Sequence, residues 1–238
     1  MRKNAKITAS MALKVPSPHA KKRSQVVAID MGRRTTKAVC VQRRAQGFDL
    51  LRYTVHEAPH SEKELTREQL AEHLKTVYQA LGAKTKQVVL LVGVDDSLLR
   101  HAETPMLPVA DLRLMLKYNS KNYLQQDLPD YIFDCYILPP RRGAKAPETA
   151  KNQKCRALVG GAKKKFLSDL QGAVEAAGLV ADQISPGLIG TANAFELAQP
   201  EAFEKEVVEL VYIGFKHSTS SILVHGELAL NRVVAIGG

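Results

Sequence analysis

Between residues 29 and 37 the chain reads Ile-Asp-Met-Gly-Arg-Arg-Thr-Thr-Lys. Asp30 offers the hard carboxylate oxygen that Mg2+ prefers. Gly32 permits a tight turn, and successive backbone N–H groups in such a turn converge on an anion. Thr35 and Thr36 add hydroxyls. Arg33, Arg34 and Lys37 add positive charge, and a guanidinium grips phosphate oxygens through paired hydrogen bonds. Together these residue types suit phosphate binding, with Asp30 as the candidate metal ligand.

Other groups that do chemistry are scattered. His101, His217 and His225 stand alone, which suits surface or structural positions better than general bases. Asp95 and Asp96 are adjacent, so on a strand they would point to opposite faces, and a turn fits them better. There is no Ser/His/Asp constellation. Cys40, Cys135 and Cys155 are far apart and match no zinc spacing, as expected of reduced core thiols in a cytosolic protein.

The phosphate-type stretch needs elements to hold it. Gln25–Asp30 is a short apolar run entering the turn, Thr36–Gln42 returns from it, and Phe48–Glu57 follows the break at Gln46-Gly47. Three strands with short connections predict an antiparallel meander. Thr66 and Gln69 have capping-box spacing. Leu70, Leu74, Val77, Tyr78 and Leu81 then share one helical face, and Gly82 supplies the stop. Gln87–Val94 is a continuous apolar run, the mark of a strand covered on both sides. The order β-β-β-α-β is that of a ribonuclease-H-like core.

From Leu98 the pattern predicts a strand to Thr104, a helix carrying Leu112, Met115, Leu116 and Tyr123 inward, a strand over Tyr131–Leu138, a polar loop over Pro139–Gln153 and a strand over Arg156–Gly160. A helix over Lys163–Gly178, a strand over Val180–Ile184 and a helix over Gly187–Ala198 follow. After a break at Gln199-Pro200, strands are expected at Glu206–Ile213, Thr219–Val224 and Leu228–Ile236. Residues 206–236 thus loosely repeat the strand, glycine turn and strand of residues 25–57, which suggests two related halves.

Of the ten net positive charges, seven come from Arg2, Lys3, Lys6, Lys14, Lys21, Lys22 and Arg23, in a segment with no acidic residue. Basicity concentrated in a tail argues against a specific nucleic-acid surface on the body. The tail itself is either a solvated disordered extension or a charge-driven contact to acidic lipid or nucleic acid. It lacks the apolar stretch of a secretory signal. No apolar run approaches the ~20 residues needed to cross a bilayer, so membrane contact would come through a partner or the tail.

With these residues in view, Ile29–Lys37 resembles the first phosphate loop of the actin, Hsp70 and sugar-kinase superfamily. Thr104-Pro105-Met106-Leu107-Pro108, Tyr123, Leu128-Pro129 and Tyr131–Tyr136 resemble the inserted subdomain of the PilM pilus-assembly family. Ala176-Ala177-Gly178-Leu179 is similar to that subdomain's return, and Tyr212-Ile213-Gly214 through Gly237-Gly238 resembles the second phosphate hairpin and its diglycine. The resemblance covers about residues 24–238. It implies an α/β, actin-like ATPase (ribonuclease-H-like) half over 24–97 and 179–203, an α+β subdomain inserted at 98–178 in the arrangement shared with FtsA, and the start of a second half at 204–238, after the basic tail 1–23.

The resemblance further implies ATP with Mg2+ held by Asp30, Gly32, Arg33, Arg34, Thr35, Thr36 and Lys37 from one side and by Gly214, Ser218, Thr219, Gly237 and Gly238 from the other. It implies a partner as well: the short cytoplasmic N-terminal peptide of a PilN-like inner-membrane protein, bound beside the inserted subdomain. The location that follows is cytoplasmic, at the inner membrane through partners, in a type IV pilus or type II secretion assembly platform.

The chain departs from this pattern in two places. Where the second loop of the superfamily begins with Asp, this chain has Tyr212, whose neutral phenol does not replace a carboxylate near Mg2+. Arg33 and Arg34 stand where the family has small hydroxyl residues, and they either bind phosphates or fill the pocket. A scaffold with a degenerate nucleotide site is therefore expected in preference to a working enzyme. The alternatives are a small-molecule kinase of the same superfamily and an FtsA-like division protein. The sequence ends just after the second hairpin, as a fragment would, and Ile213, Ile222, Leu223, Leu228 and Val234 are then expected to be partly exposed.

Overall fold

The computed structural model describes residues 24–45, 47–59, 65–139 and 154–238. The basic tail and nearly all of the polar loop expected at 139–153 lie outside the described residues. The chain forms two compact units, Met1–Gly93 with Asp169–Gly238, and Val94–Ser168.

The first unit is built on strands β1 (Gln25–Met31), β2 (Thr35–Arg43) and β3 (Phe48–Glu57), followed by helix α1 (Arg67–Leu81) and strand β4 (Gln87–Val92). The meander is antiparallel, with Asp30 opposite Lys37 and Met31 opposite Thr36. Strand β4 runs parallel to β1, and β8 (Val180–Pro186) runs parallel to β4. The sheet order is β3-β2-β1-β4-β8.

Alternation decides which side chains face the helices. Val27, Ile29, Ala38, Cys40, Val88, Leu90 and Val92 are all buried, while Asp30 and Lys37 fall on the opposite face. Helix α1 begins with the expected capping box, Thr66 with Gln69, and ends on Gly82 in the left-handed conformation at φ 61°. Arg52 of β3 donates to the Gly82 carbonyl, so a cation sits at the negative end of α1. The helix packs on β2 and β3. Helix α3 (Lys164–Ala176) lies beside it, where Gly172 leaves room for the Arg67 guanidinium and Arg67 reaches Asp169 at 3.8 Å.

The second unit pairs strands β5 (Ser97–Pro105), β7 (Lys154–Lys163) and β6 (Tyr131–Ile137) in that spatial order, with helix α2 (Val109–Leu124) packed on β5 and β6. Leu112, Leu116, Leu124, Phe133, Ala157 and Val159 form its core. Gly161 has no Cβ because the Phe133 ring occupies that space. Helix α2 is kinked at Asn119, and the Ser120 hydroxyl accepts the Leu128 N–H at 2.9 Å. Met115 and Tyr123 are partly buried against this core as expected, whereas Tyr118 is 73% exposed.

After β8, helix α4 (Leu188–Ala198) and a short helix α5 (Pro200–Lys205) lead into β9 (Val207–Ile213), β10 (Ser218–Val224) and β11 (Glu227–Val234). The sequence pattern predicts only a break where α5 forms. Pro200 starts this helix, because a missing N–H costs nothing at a helix N-terminus. The turn between β10 and β11 is two residues long, and His225 and Gly226 both have positive φ, matching the right-handed twist of the strands.

Helix α5 also corrects an expectation. Ile213 and Val234 are exposed, and Ile222 and Leu228 are intermediate, but Leu223 is buried, because α5 packs on β9 and β10. All three cysteines are free and buried. Burial, chiefly, pushes the Cys135 thiol up to about 11, as befits an unreactive core position. Asp95 and Asp96 lie in a turn. Among the described residues, no helix is long and apolar enough to cross a membrane.

Leu74 is fully buried at the centre of α1. Leu74→Ala is expected to lower unfolding stability by about 2–5 kcal/mol, read as a lower midpoint in urea with an unchanged slope.

Candidate functional site

The first corner is the turn from β1 to β2. A Cβ on Gly32 would stand 2.6 Å from the Thr35 carbonyl oxygen, so no larger residue fits without moving the backbone. The turn places Asp30 and Lys37 side by side, with Lys37 Nζ 4.0 Å from Asp30 Oδ2. Asp30 Oδ1 lies 3.7 Å from the position a Gly187 Cβ would take, and the Gly187 N–H donates to the Val92 carbonyl at 2.8 Å. The carboxylate is thus seated where α4 begins. Burial raises the Asp30 pKa above the ordinary carboxylate value, against the smaller opposing pull of Lys37.

Arg33 and Arg34 project from the tip and are exposed, and the Arg34 carbonyl accepts the Ala58 N–H at 2.9 Å. Thr35 shares the sheet face of Asp30 and Lys37. Thr36 does not: it is buried on the face toward α1, and its hydroxyl is 2.8 Å from His73 Nε2. The expected phosphate hydroxyl of Thr36 is therefore spent inside the protein, since one step along a strand reverses the face.

The second corner repeats the backbone of the first. A Cβ on Gly214 would stand 2.6 Å from the His217 carbonyl oxygen, and the Gly214 N–H donates to that oxygen at 3.1 Å. Tyr212 lies opposite Thr219, as Asp30 lies opposite Lys37. Register breaks at Cys40/Val41 in one meander and at Ile222/Leu223 in the other, the same number of residues past the glycine in each. The two hairpins are quasi-equivalent, and Tyr212 occupies the place of Asp30.

The side chains do not follow that symmetry. Thr219 is buried, so its hydroxyl is not offered at the corner. Ser218 Oγ donates to the Ile236 carbonyl at 2.6 Å, and the Gly238 N–H donates to the Gly214 carbonyl at 3.0 Å. Gly237 lies directly against the Phe215 carbonyl. The diglycine therefore folds back over the second tip. The Arg34 guanidinium lies over the Phe215 ring, 5.4 Å from its centroid, so the two tips stand next to each other.

Phe215, Gly187 and His73 also belong to this region. Pro186-Gly187 between a strand and a helix is a visible sequence signal for Gly187. Nothing in the sequence marks Phe215 or His73. Asp30 is the one carboxylate among the described residues of the two corners, and no cluster of three or more metal-binding side chains occurs among the described residues. Lys37 is the cation beside that carboxylate, and Arg33 and Arg34 add positive charge at the tip, a balance suited to an anion.

No family model matches this chain, and no curated protein matches it in sequence. Solved structures do match. A chain of the PilM–PilN type IV pilus biogenesis complex aligns over 90% of this chain with a TM-score of 0.74 and 17% identity. The cytoplasmic domain of EpsL, an inner-membrane component of the type II secretion system of Vibrio cholerae, aligns over 89% with a TM-score of 0.52 and 16% identity. A protein of Bacteroides thetaiotaomicron with an actin-like ATPase fold aligns over 90% with a TM-score of 0.51 and 12% identity.

The fold is that of the actin-like ATPases. The chain spans 62% of the length of the matched pilus-complex chain and 71% of each of the other two. Within this fold the two glycine corners are quasi-equivalent, with Asp30 at one and Tyr212 at the matching position of the other.

Two titrations test the site. The folded pKa of Asp30 lies above its unfolded value, so the ionised carboxylate costs stability at neutral pH, and that cost disappears as pH falls below about 4. Asp30→Asn is expected to melt higher than the parent at pH 7, with the difference shrinking toward pH 4. His73 has a lowered pKa, first from burial and then from the nearby His56. The parent should therefore lose stability as pH falls from about 6.5 through the folded value, and His73→Gln should flatten that slope in melts at pH 7.5 and 5.5.

Proposed function

We propose that this protein is a cytoplasmic actin-like scaffold of a type IV pilus or type II secretion assembly platform at the inner membrane. In this reading it is of PilM type and holds the short cytoplasmic N-terminal peptide of a PilN-like membrane protein. The observation that carries the reading is the likeness to the PilM–PilN complex, which extends over 90% of the chain with a TM-score of 0.74. The likeness to the cytoplasmic domain of EpsL supports the same class of role.

The side chains of the corners favour a scaffold over a working ATPase. Phosphoryl transfer requires positioned charge on both sides of the transferring group, and metal ions normally bridge its oxygens. Here the second corner presents Tyr212, while Ser218 and Thr219 are engaged or buried. Arg33 and Lys37 would give the first corner affinity for phosphate oxygens, Arg34 being engaged with Phe215, and Asp30 would be the residue to hold Mg2+. Nucleotide binding through the first corner is compatible with the scaffold role, and turnover is not expected.

The peptide site would use the aromatic-bearing second unit, where Tyr118 is exposed and Tyr123, Tyr131 and Tyr136 are partly so. Extended peptides dock on such domains by placing alternate side chains in apolar recesses. Calorimetry should detect saturable binding of the cytoplasmic N-terminal peptide of a PilN-like single-span membrane protein. A scrambled peptide should give no heat. Equal heats from the two peptides would remove the scaffold reading, and ATP hydrolysis above background that is abolished by Asp30→Asn would replace it with an enzymatic one.

A further inference from the structure

The contact between the two corners has a property that the fold alone does not require. Arg34 sits at the tip of the first hairpin and Phe215 at the tip of the second, with the guanidinium 5.4 Å from the ring centroid. That is within the range of a cation–π attraction. Both partners stand on fixed backbone. The Arg34 carbonyl is tied to the Ala58 N–H, which holds the first tip against the end of β3. The Phe215 peptide is held between Gly214, whose carbonyl takes the Gly238 N–H, and Gly237, which lies against the Phe215 carbonyl. Neither tip has to be ordered at the moment of contact, so little entropy opposes the pairing.

We infer that Arg34 and Phe215 form a built-in clasp that holds the two glycine corners together without a ligand. A bound anion would otherwise have to bridge them by drawing donors from both sides. Here the protein supplies the bridge itself, with a cation from one corner and a π face from the other. The rest of the second corner agrees with this. Its carboxylate position is Tyr212, its Ser218 hydroxyl is spent on Ile236, and its glycine carbonyl on Gly238. The groups that would respond to a nucleotide are committed to holding the tip. The closed arrangement of the corners is thus a constitutive feature of the chain, and any partner binding that depends on it proceeds with or without nucleotide. The clasp is independent of the peptide-binding reading above, and its test uses neither peptide nor turnover.

The chain contains no tryptophan, so Phe215→Trp introduces a single indole reporter at the clasp. Acrylamide quenching of that indole is measured in the full chain, with and without the additional change Arg34→Ala, in buffer alone and with Mg-ATP or inorganic phosphate. Phe215 is 48% exposed, so the clasp predicts partial quenching without ligand, a rise of about 1.5- to two-fold in the exposed fraction on Arg34→Ala, and no change in the Arg34-containing protein on adding either ligand. Quenching unaffected by Arg34→Ala would overturn the clasp. Protection that develops only with Mg-ATP or phosphate would overturn its independence of ligand.

Should the indole variant fail to fold, thermal melts of Arg34→Ala, Phe215→Leu and the double variant decide the same question. Coupling between the two substitutions supports the clasp, and strict additivity refutes it.

Discussion

The structure around the candidate site depends on one close approach made twice: a glycine pressed against the carbonyl three residues further on, Gly32 against Thr35 and Gly214 against His217. A Cβ cannot enter that gap, so the chain reverses within four residues. The reversal fixes the ladder register behind it. In the first hairpin it makes Asp30 and Lys37 cross-strand neighbours, and in the second it does the same for Tyr212 and Thr219. Register in turn decides which side chains face a helix and which face the corner, because one residue of slip would exchange every one of them.

The two hairpins share that backbone but not its surroundings. Helix α1 packs on β2 and β3, so Thr36, Ala38 and Cys40 are buried and the Thr36 hydroxyl pairs with His73. In the second sheet α5 packs on β9 and β10, and Thr219, Ser221 and Leu223 are the buried set. These lie on the opposite sheet face, counted from the glycine. Val207, Val211, Ile213 and Leu230 remain exposed in the second meander. Equivalent strands thus bury opposite faces, since burial is set by the packed helix and not by the hairpin.

The chemistry follows the same division. Burial next to Gly187 disfavours the ionised form of Asp30, and Lys37 relieves this only in part. Its counterpart is a phenol. One corner retains charge suited to an anion, and the other is occupied by its own diglycine and by Phe215 under the Arg34 guanidinium. The two walls of the site thus differ in kind, one charged and one lined by the chain's own backbone and ring.

Much of the architecture is legible in the sequence, because local signals and global fold agree there. Thr66 and Gln69 mark the start of α1, Gly82 its end, alternation the faces of β1 and β2, and the apolar run from Gln87 a central strand. Gly32 and Gly214 mark the two corners, and Tyr212 stands at the position matching Asp30. Tertiary structure alone decides that Thr36 and Thr219 are buried, that α5 covers Leu223, that Gly187 seats the Asp30 carboxylate, and that Arg34 meets Phe215. Those outcomes join residues far apart along the chain. A hydroxyl or a ring looks the same in sequence whether it faces a ligand or a helix, and only packing makes the choice.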